Sequence, residues 1–303
     1  MSASLIALAL AAQQVVIPFG GGKPVERVRA PIAVSGPAFA RACEGKDGWD
    51  DPAPPVRIHG NSYYVGTCGI SAILIAGREG HILIDSGTEA GAELIAANIR
   101  ALGFRLSDVT WITHSHEHHD HVGGLARVQQ LTGGQIAASV NAAPVLRSGT
   151  AAAADPQFGS LPKMAPVAIA RTLKDGDTLR LGPIQLTALE TPGHTKGALS
   201  WWWVSCDGGV CRTLVYADSM SPVSSDTYRF TDHPEVVADF RRSIARVAAL
   251  ECDILLTPHP SASNMSARFA GKAALFDSAG CRTYAAAKTK QLDERLAKEA
   301  AGK

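Results

Sequence analysis

The chain is short of three things, and each shortage removes a class of function. No apolar run at its start can cross a bilayer: Leu5 to Ala12 falls far below the roughly 20 residues a hydrocarbon core demands. Charge of one sign is also missing. The 29 basic and 28 acidic residues leave a formal net charge of +1, and the basic ones are scattered without aromatic interleaving, which argues against nucleic acid as a partner. Third, none of the six cysteines forms a C-x-x-C hook, so neither a zinc knuckle nor a thioredoxin-like redox site is expected. The start has one further gap, in that no Lys or Arg precedes Leu5. Leu5 to Ala12 therefore reads either as an ordinary helix or lead-in, or as an unusual export signal ending near Ala11-Ala12.

What remains is the composition of a compact domain. Hydrophobic residues make up 46% and charged residues 19% of 303, enough chain for one large domain or two ordinary ones. The cysteines, at 43, 68, 206, 211, 252 and 281, admit fifteen pairings and leave no odd thiol. Cys206 and Cys211 flank Asp207-Gly208-Gly209-Val210, a hairpin tip that a local bridge would pin. Bridges of this kind imply an oxidising compartment and support export.

Residues 1–60 read as a leader and a wrapping arm rich in Pro, Gly and charge, with at most a short helix around Pro37 to Ala42. Strand signals follow at Ser62 to Val65, Ile70 to Ala76 and His81 to Asp85, with a hairpin turn at Gly77 to Gly80. Leu94, Ile95, Ile99 and Leu102 give helical spacing over Glu89 to Leu102; a strand at Val109 to Thr113 then runs through a histidine-rich loop into a helix over Gly124 to Leu131. In the second half, strands are expected at Thr178 to Leu181, Ile184 to Glu190, Leu199 to Val204, Thr213 to Tyr216 and Ile254 to Thr257, and helices at Pro234 to Leu250, Met265 to Phe276 and Tyr284 to Lys303. Both halves place acidic or histidine residues just after strands, where α/β layers gather their functional groups. A two-sheet sandwich with outer helices would bring those loop ends to one edge. Trp201 to Trp203 must face alternate sides of their strand, so one would cover the core under an outer helix while another meets solvent or a partner.

The chemistry is concentrated in one stretch. Five of the ten histidines lie between His114 and His121, in His114-Ser-His116-Glu-His118-His119-Asp120-His121. Each buried imidazole has two ring nitrogens to satisfy, so a core gains nothing from such crowding and a metal explains it. His116 and His118, two apart on an extended backbone, would point to one side and grip one ion, while Asp120 and His121, on the turn into the helix, would face a second. Imidazole nitrogen with carboxylate oxygen suits zinc rather than magnesium or calcium. His194, in Thr191-Pro-Gly193-His194-Thr-Lys-Gly197, and His259, between two prolines, complete two sets of three. Asp120 is the pivotal carboxylate, able to orient an activated water and carry a proton toward a leaving group. Asp218 and Asp85 end strands and read as carboxylates behind the ligands, although Asp218 could instead be a ligand. Ser219 and Ser221 are small donors on the same edge, for which a turn role and a substrate role are equally open.

The run His116 to His121 resembles the H-x-H-x-D-H signature of the metallo-β-lactamase superfamily, and the resemblance extends from about Tyr63 to His259. It implies an αββα sandwich spanning 61–282, with 283–303 as a C-terminal helix and tail of the same domain. Thr191 to Gly197, Tyr216 to Ser221 and Thr257-Pro258-His259 look like the third subclass, B3. That resemblance implies two zinc ions per chain, the first on His116, His118 and His194 and the second on Asp120, His121 and His259. It puts Ser219 where other subclasses use a metal-binding cysteine, in contact with the metal through water. It also gives Ser221 the substrate carboxylate, Gln157 a place in the pocket, and pairs Cys43 with Cys68, Cys206 with Cys211 and Cys252 with Cys281. The implied activity is zinc-dependent opening of a β-lactam amide by activated water, without an acyl-enzyme, in a periplasmic or secreted protein. A monomer with a small-molecule substrate, no nucleic acid and no membrane partner is expected. Two other readings stay open: a glyoxalase II-like thioesterase or acyl-homoserine-lactone lactonase, which would use Asp218 to bridge the metals, and a zinc-binding protein without turnover. Separate histidines at 194 and 259 speak against the last.

Overall fold

Apolar residues alternate with period two along the strands, and the alternation assembles four layers. The computed structural model describes residues 35–302, so Leu5 to Ala12 and both readings of it lie outside the described residues. One sheet has seven strands in chain order: β1 (Val56–His59), β2 (Ser62–Tyr64), β3 (Ile73–Ala76), β4 (His81–Ile84), β5 (Val109–Thr113), β6 (Gln135–Ser139) and β7 (Ile169–Leu173). The other holds β8 (Thr178–Leu181), β9 (Ile184–Glu190), β10 (Leu199–Asp207), β11 (Val210–Tyr216) and β12 (Ile254–Leu256), in the order β12-β11-β10-β9-β8. On β3 and β4, Ile73, Ile75, Ile82 and Ile84 turn inward to meet Leu186, Leu199, Trp201, Trp203, Leu214 and Leu256 of the second sheet. Leu74 and Leu83, one residue out of phase, turn outward under the helices. Each such side chain contributes about 1.5–3 kcal/mol on burial, so a one-residue slip of either strand would forfeit both seams.

The outer layers follow from the connections. Strands β4 to β7 run parallel and need crossovers, supplied by α2 (Glu89–Ala101), α3 (His119–Val122) with α4 (Leu125–Thr132), and α5 (Ala142–Ser148). Ile95 and Ile99 of α2, Val128 of α4 and Leu146 of α5 cover that face. On the second sheet, Phe240, Ile244 and Val247 of α6 (Pro234–Ala248) and Tyr284 and Leu292 of α8 (Gly280–Ala300) pack against Val215 and Leu255. The expected αββα sandwich is thus the observed one. Two short helices, α1 (Gly36–Ala42) and α7 (Met265–Phe269), pair at the margin through Phe39 and Phe269, whose rings meet edge to face at 5.4 Å.

Several expectations need correction. The arm carries a strand, β1, and β6, α5 and β7 occupy a stretch in which no element was expected. Residues 70–72 stand outside β3. The helix expected to reach Phe276 stops at Phe269, because Gly271 adopts φ 73° and the returning chain lays the Leu275 carbonyl on Arg268, which also binds the Leu255 carbonyl. The last helix starts at Gly280 rather than Tyr284, its first turn fastened by Cys281 to Cys252. Cys43 to Cys68 and Cys206 to Cys211 are the other two bridges, as the resemblance implied. Trp201 and Trp203 are buried between the sheets, and Trp202, on the opposite face, packs partly buried in the seam beneath α6 and α8.

Candidate metal centre

Every predicted metal residue lies on a loop that leaves a strand at the same edge. β5 ends at Thr113 and the chain continues extended through His116 and His118 into the single turn of α3, which carries Asp120 and His121. His194 stands in the loop from β9 to β10, and His259 follows β12. Two overlapping sets result, His116 with His118 and His194, and His116 with Asp120 and His121, each offering one ligand atom per residue with all of these within 4.8 Å. His259 joins the second set: its Nε2 lies 3.3 Å from His121 Nε2 and 3.4 Å from Asp120 Oδ2. His116 stands between the two groups.

The rings are fixed from behind. His116 Nδ1 meets Asp218 Oδ1 at 2.8 Å, His118 Nε2 meets Asp155 at 3.0 Å, His194 Nδ1 meets the Ser221 carbonyl at 2.8 Å, and His259 Nδ1 meets the Gly69 carbonyl at 3.3 Å. His121 Nδ1 lies 3.5 Å from Asp85. One nitrogen of each ring is thereby turned toward a protein acceptor and the other toward the shared space, as metal-bound imidazoles require. His116 Nε2 is buried without any hydrogen-bond partner, a costly state for a core and a natural one for a ligand atom. With a nearby carboxylate, this donor set fits zinc. Burial and the surrounding imidazoles push His116 and His194 well below the usual histidine range, and burial with His121 brings His259 down to about 4, so these rings are neutral. Asp120 is buried, yet His121 and His259 beside it hold its carboxyl below the usual range.

Not all five clustered histidines take part. His114 faces the other way, its Nε2 accepting from the Ser139 N–H at 3.1 Å while its carbonyl accepts from Trp201 Nε1 at 2.8 Å. It ties β5, β6 and β10 together. His119 belongs to neither set. Asp85, by contrast, anchors the edge: it accepts from the Ser115 N–H at 2.6 Å, from Ser115 Oγ at 2.8 Å and from Tyr216 Oη at 2.6 Å, at φ 65°. A left-handed aspartate and, at φ 44°, a left-handed Met220 mark two of the turns that shape the site.

Two residues were missed. Glu117, between His116 and His118, points away from the ligands and accepts from Thr195 Oγ1 at 2.6 Å and the Gly197 N–H at 2.8 Å, clamping the His194 loop to the His116 loop. Period two along the extended stretch would have placed it there. Asp155, which braces His118, had no signal of its own beyond lying two residues from Gln157. The Nε2 of Gln157 is 3.4 Å from His118 Nδ1. Asp218 is spoken for by His116 and falls in neither ligand set. Ser219 Oγ is buried with no partner, and Ser221 Oγ accepts from Lys288 Nζ at 2.8 Å.

A sandwich of two sheets with a cluster of histidines and aspartate at one edge defines a class, and the chain belongs to the metallo-β-lactamase superfamily, whose family model matches residues 65–259. Within it the chain is closely related to the B3 subclass. It is 50% identical to the metallo-β-lactamase MIM-1 from Novosphingobium pentaromativorans, with 88% of this chain and 98% of that one covered and a TM-score of 0.86. To MEM-A1, a subclass B3 enzyme from a soil metagenome library, it is 46% identical over 84% of this chain and 100% of that one, with a TM-score of 0.81. Among curated proteins, a probable metallo-hydrolase of Burkholderia pseudomallei is 31% identical over 152 residues, 45% of this chain and 48% of that protein. The chain spans about half the length of the curated relatives it matches.

Proposed function

We propose that the protein is a dizinc β-lactamase that hydrolyses the amide bond of β-lactam antibiotics. The observation that carries this reading is the pair of adjoining groups, His116, His118 and His194 beside Asp120, His121 and His259, at the edge of a sandwich superposable on solved β-lactamases. Bound there, zinc would acidify a water and polarise the carbonyl it attacks. The protein's residues do the rest. His116, His118 and His194 hold the first ion, and Asp120, His121 and His259 the second. Asp120, kept ionised by its neighbours, orients the attacking water and takes its proton, which it can pass to the departing nitrogen. Ser221 and Gln157 line the cleft, Ser221 receiving the substrate carboxylate, and the buried Ser219 hydroxyl faces no competing partner.

The thioesterase and lactonase readings need Asp218 between the metals, whereas its Oδ1 is held behind His116 and burial raises its carboxyl to about 7. The three disulfides match folding in an oxidising environment, which supports a periplasmic or secreted protein. No helix among the described residues is long and apolar enough to cross a membrane.

The decisive assay sets a chromogenic cephalosporin beside a thioester and a lactone, with and without chelator. Zinc-dependent turnover of the cephalosporin is expected to dominate, and His118→Ala to lower its kcat/KM by at least about a hundredfold. Chelator-resistant turnover, or a preference for the thioester or lactone, would refute the reading.

A further inference from the structure

Helix α8 pushes a cation into the wall of this cleft. Lys288 is 4% exposed, and its Nζ has only neutral partners: Ser221 Oγ at 2.8 Å, Gln291 Oε1 at 3.3 Å and the Tyr284 ring, whose centroid is 5.0 Å away. No carboxylate of the described residues lies within ion-pair distance of it. A buried ammonium without an anion is expensive, and proteins that keep one usually meet the missing charge from elsewhere. The neighbouring acid, Asp218, is committed to His116. One turn earlier on the same face, Tyr284 Oη donates to the carbonyls of Asp218 and Ser219 at 2.9 and 2.8 Å. The two side chains thus hold the 218–221 loop against α8, and Ser221 in turn carries the carbonyl that orients His194.

We infer that Lys288 is a positioning residue for the carboxylate of the ligand, acting through Ser221. This rests on the reading above that Ser221 faces a carboxylate-bearing substrate. Because the ammonium donates to the lone pair of Ser221 Oγ, the hydroxyl proton is left for another acceptor. In this structure that acceptor is the Ser219 carbonyl at 3.2 Å, a weak bond that an incoming carboxylate can replace. Donation by a cation also strengthens the hydroxyl as a donor, and the positive charge beneath it attracts the anion through low-dielectric surroundings. Burial, which draws the ammonium down to about 8, reports the same unmet charge.

The test compares zinc-loaded wild type, Lys288→Met, Lys288→Arg and Ser221→Ala by calorimetric titration with mercaptoacetate and with 2-mercaptoethanol, two small thiols of which only the first has a carboxylate. Lys288→Met is expected to weaken mercaptoacetate about tenfold while leaving 2-mercaptoethanol within about twofold. Lys288→Arg should recover most of the loss, and Ser221→Ala should reproduce it. With the cephalosporin, Lys288→Met should raise KM about tenfold and leave kcat within about threefold. Its zinc content should be unchanged and its melting temperature equal or higher, since an apolar side chain relieves a buried charge. Equal weakening of both thiols, or no change in either, would overturn the proposal. If no variant turns over any β-lactam, yet mercaptoacetate still loses its advantage in Lys288→Met, the substrate reading falls and the anion subsite stands.

Discussion

Asp85 illustrates how much of this centre depends on groups outside the two sets of converging ligand atoms. Its two oxygens hold Ser115, in the loop that leaves β5, and Tyr216, at the end of β11, and its Oδ2 lies 3.5 Å from His121, so one carboxylate joins both sheets and braces a ring of the metal cluster. In Asp85→Asn one acceptor oxygen becomes a donor facing other donors, and zinc affinity is expected to fall about 10- to 100-fold, measured by competition with a chromogenic chelator. At this scale the sequence was legible wherever chemistry forced an unusual residue. His116, His118, Asp120 and His121 are too crowded to be core, and His194 and His259 stand in loops with no other evident task. Glu117 and Asp155 were not legible, because a single acid in a loop looks the same whether it braces a histidine or faces water. His114 and His119 show the converse: they belong to the histidine cluster but to neither group of converging ligand atoms.

Among the elements, α8 has the least regular reading in sequence and the most consequences. Its alanine, lysine and glutamate content gives a helix and a tail but no buried face, and the helix buries Tyr284, Lys288, Leu292 and Glu299. Near its end Glu299 accepts from the Thr231 N–H at 2.9 Å and from Arg295 Nε at 2.5 Å, pinning the loop that follows Ser221. Burial alone would raise the Glu299 carboxyl, but those donors outweigh it and hold the group below its ordinary range. A depressed carboxylate stabilises the fold above its unfolded value near 4.5, and that contribution disappears as pH falls through the lower, folded value. Glu299→Gln should therefore lose about 1–3 kcal/mol at neutral pH and converge on wild type in strong acid, read from urea midpoints over pH 2 to about 7. The strands were easier to read than this helix where alternation was strict, as in β8 and β9. β6, α5 and β7 were obscured by alanine-rich sequence, which carries little periodic signal.

For the molecule as a whole, three seams of apolar packing and three disulfides fix the sandwich, and the metal edge is added to that frame. A ligand that binds only the folded state adds stability by mass action, about 2.7 kcal/mol when free zinc stands at 100 times its dissociation constant. Chelation is therefore expected to lower the melting temperature by several degrees and zinc to restore it, with the sheets retained throughout by far-ultraviolet circular dichroism at room temperature. The four-layer order was legible from the alternation of strands and helices.

The ligands come from three connections, after β5, after β9 and after β12, and the last of these belongs to the final strand of the chain. The set proposed for the first ion is complete once the loop after β9 is made, whereas the set proposed for the second lacks His259 until the chain has passed β12. The second ion is therefore the one expected to load late, once β12 has docked beside β11. Its release should then coincide with loss of the β11–β12 pairing, making that ion a reporter on the last step of assembly.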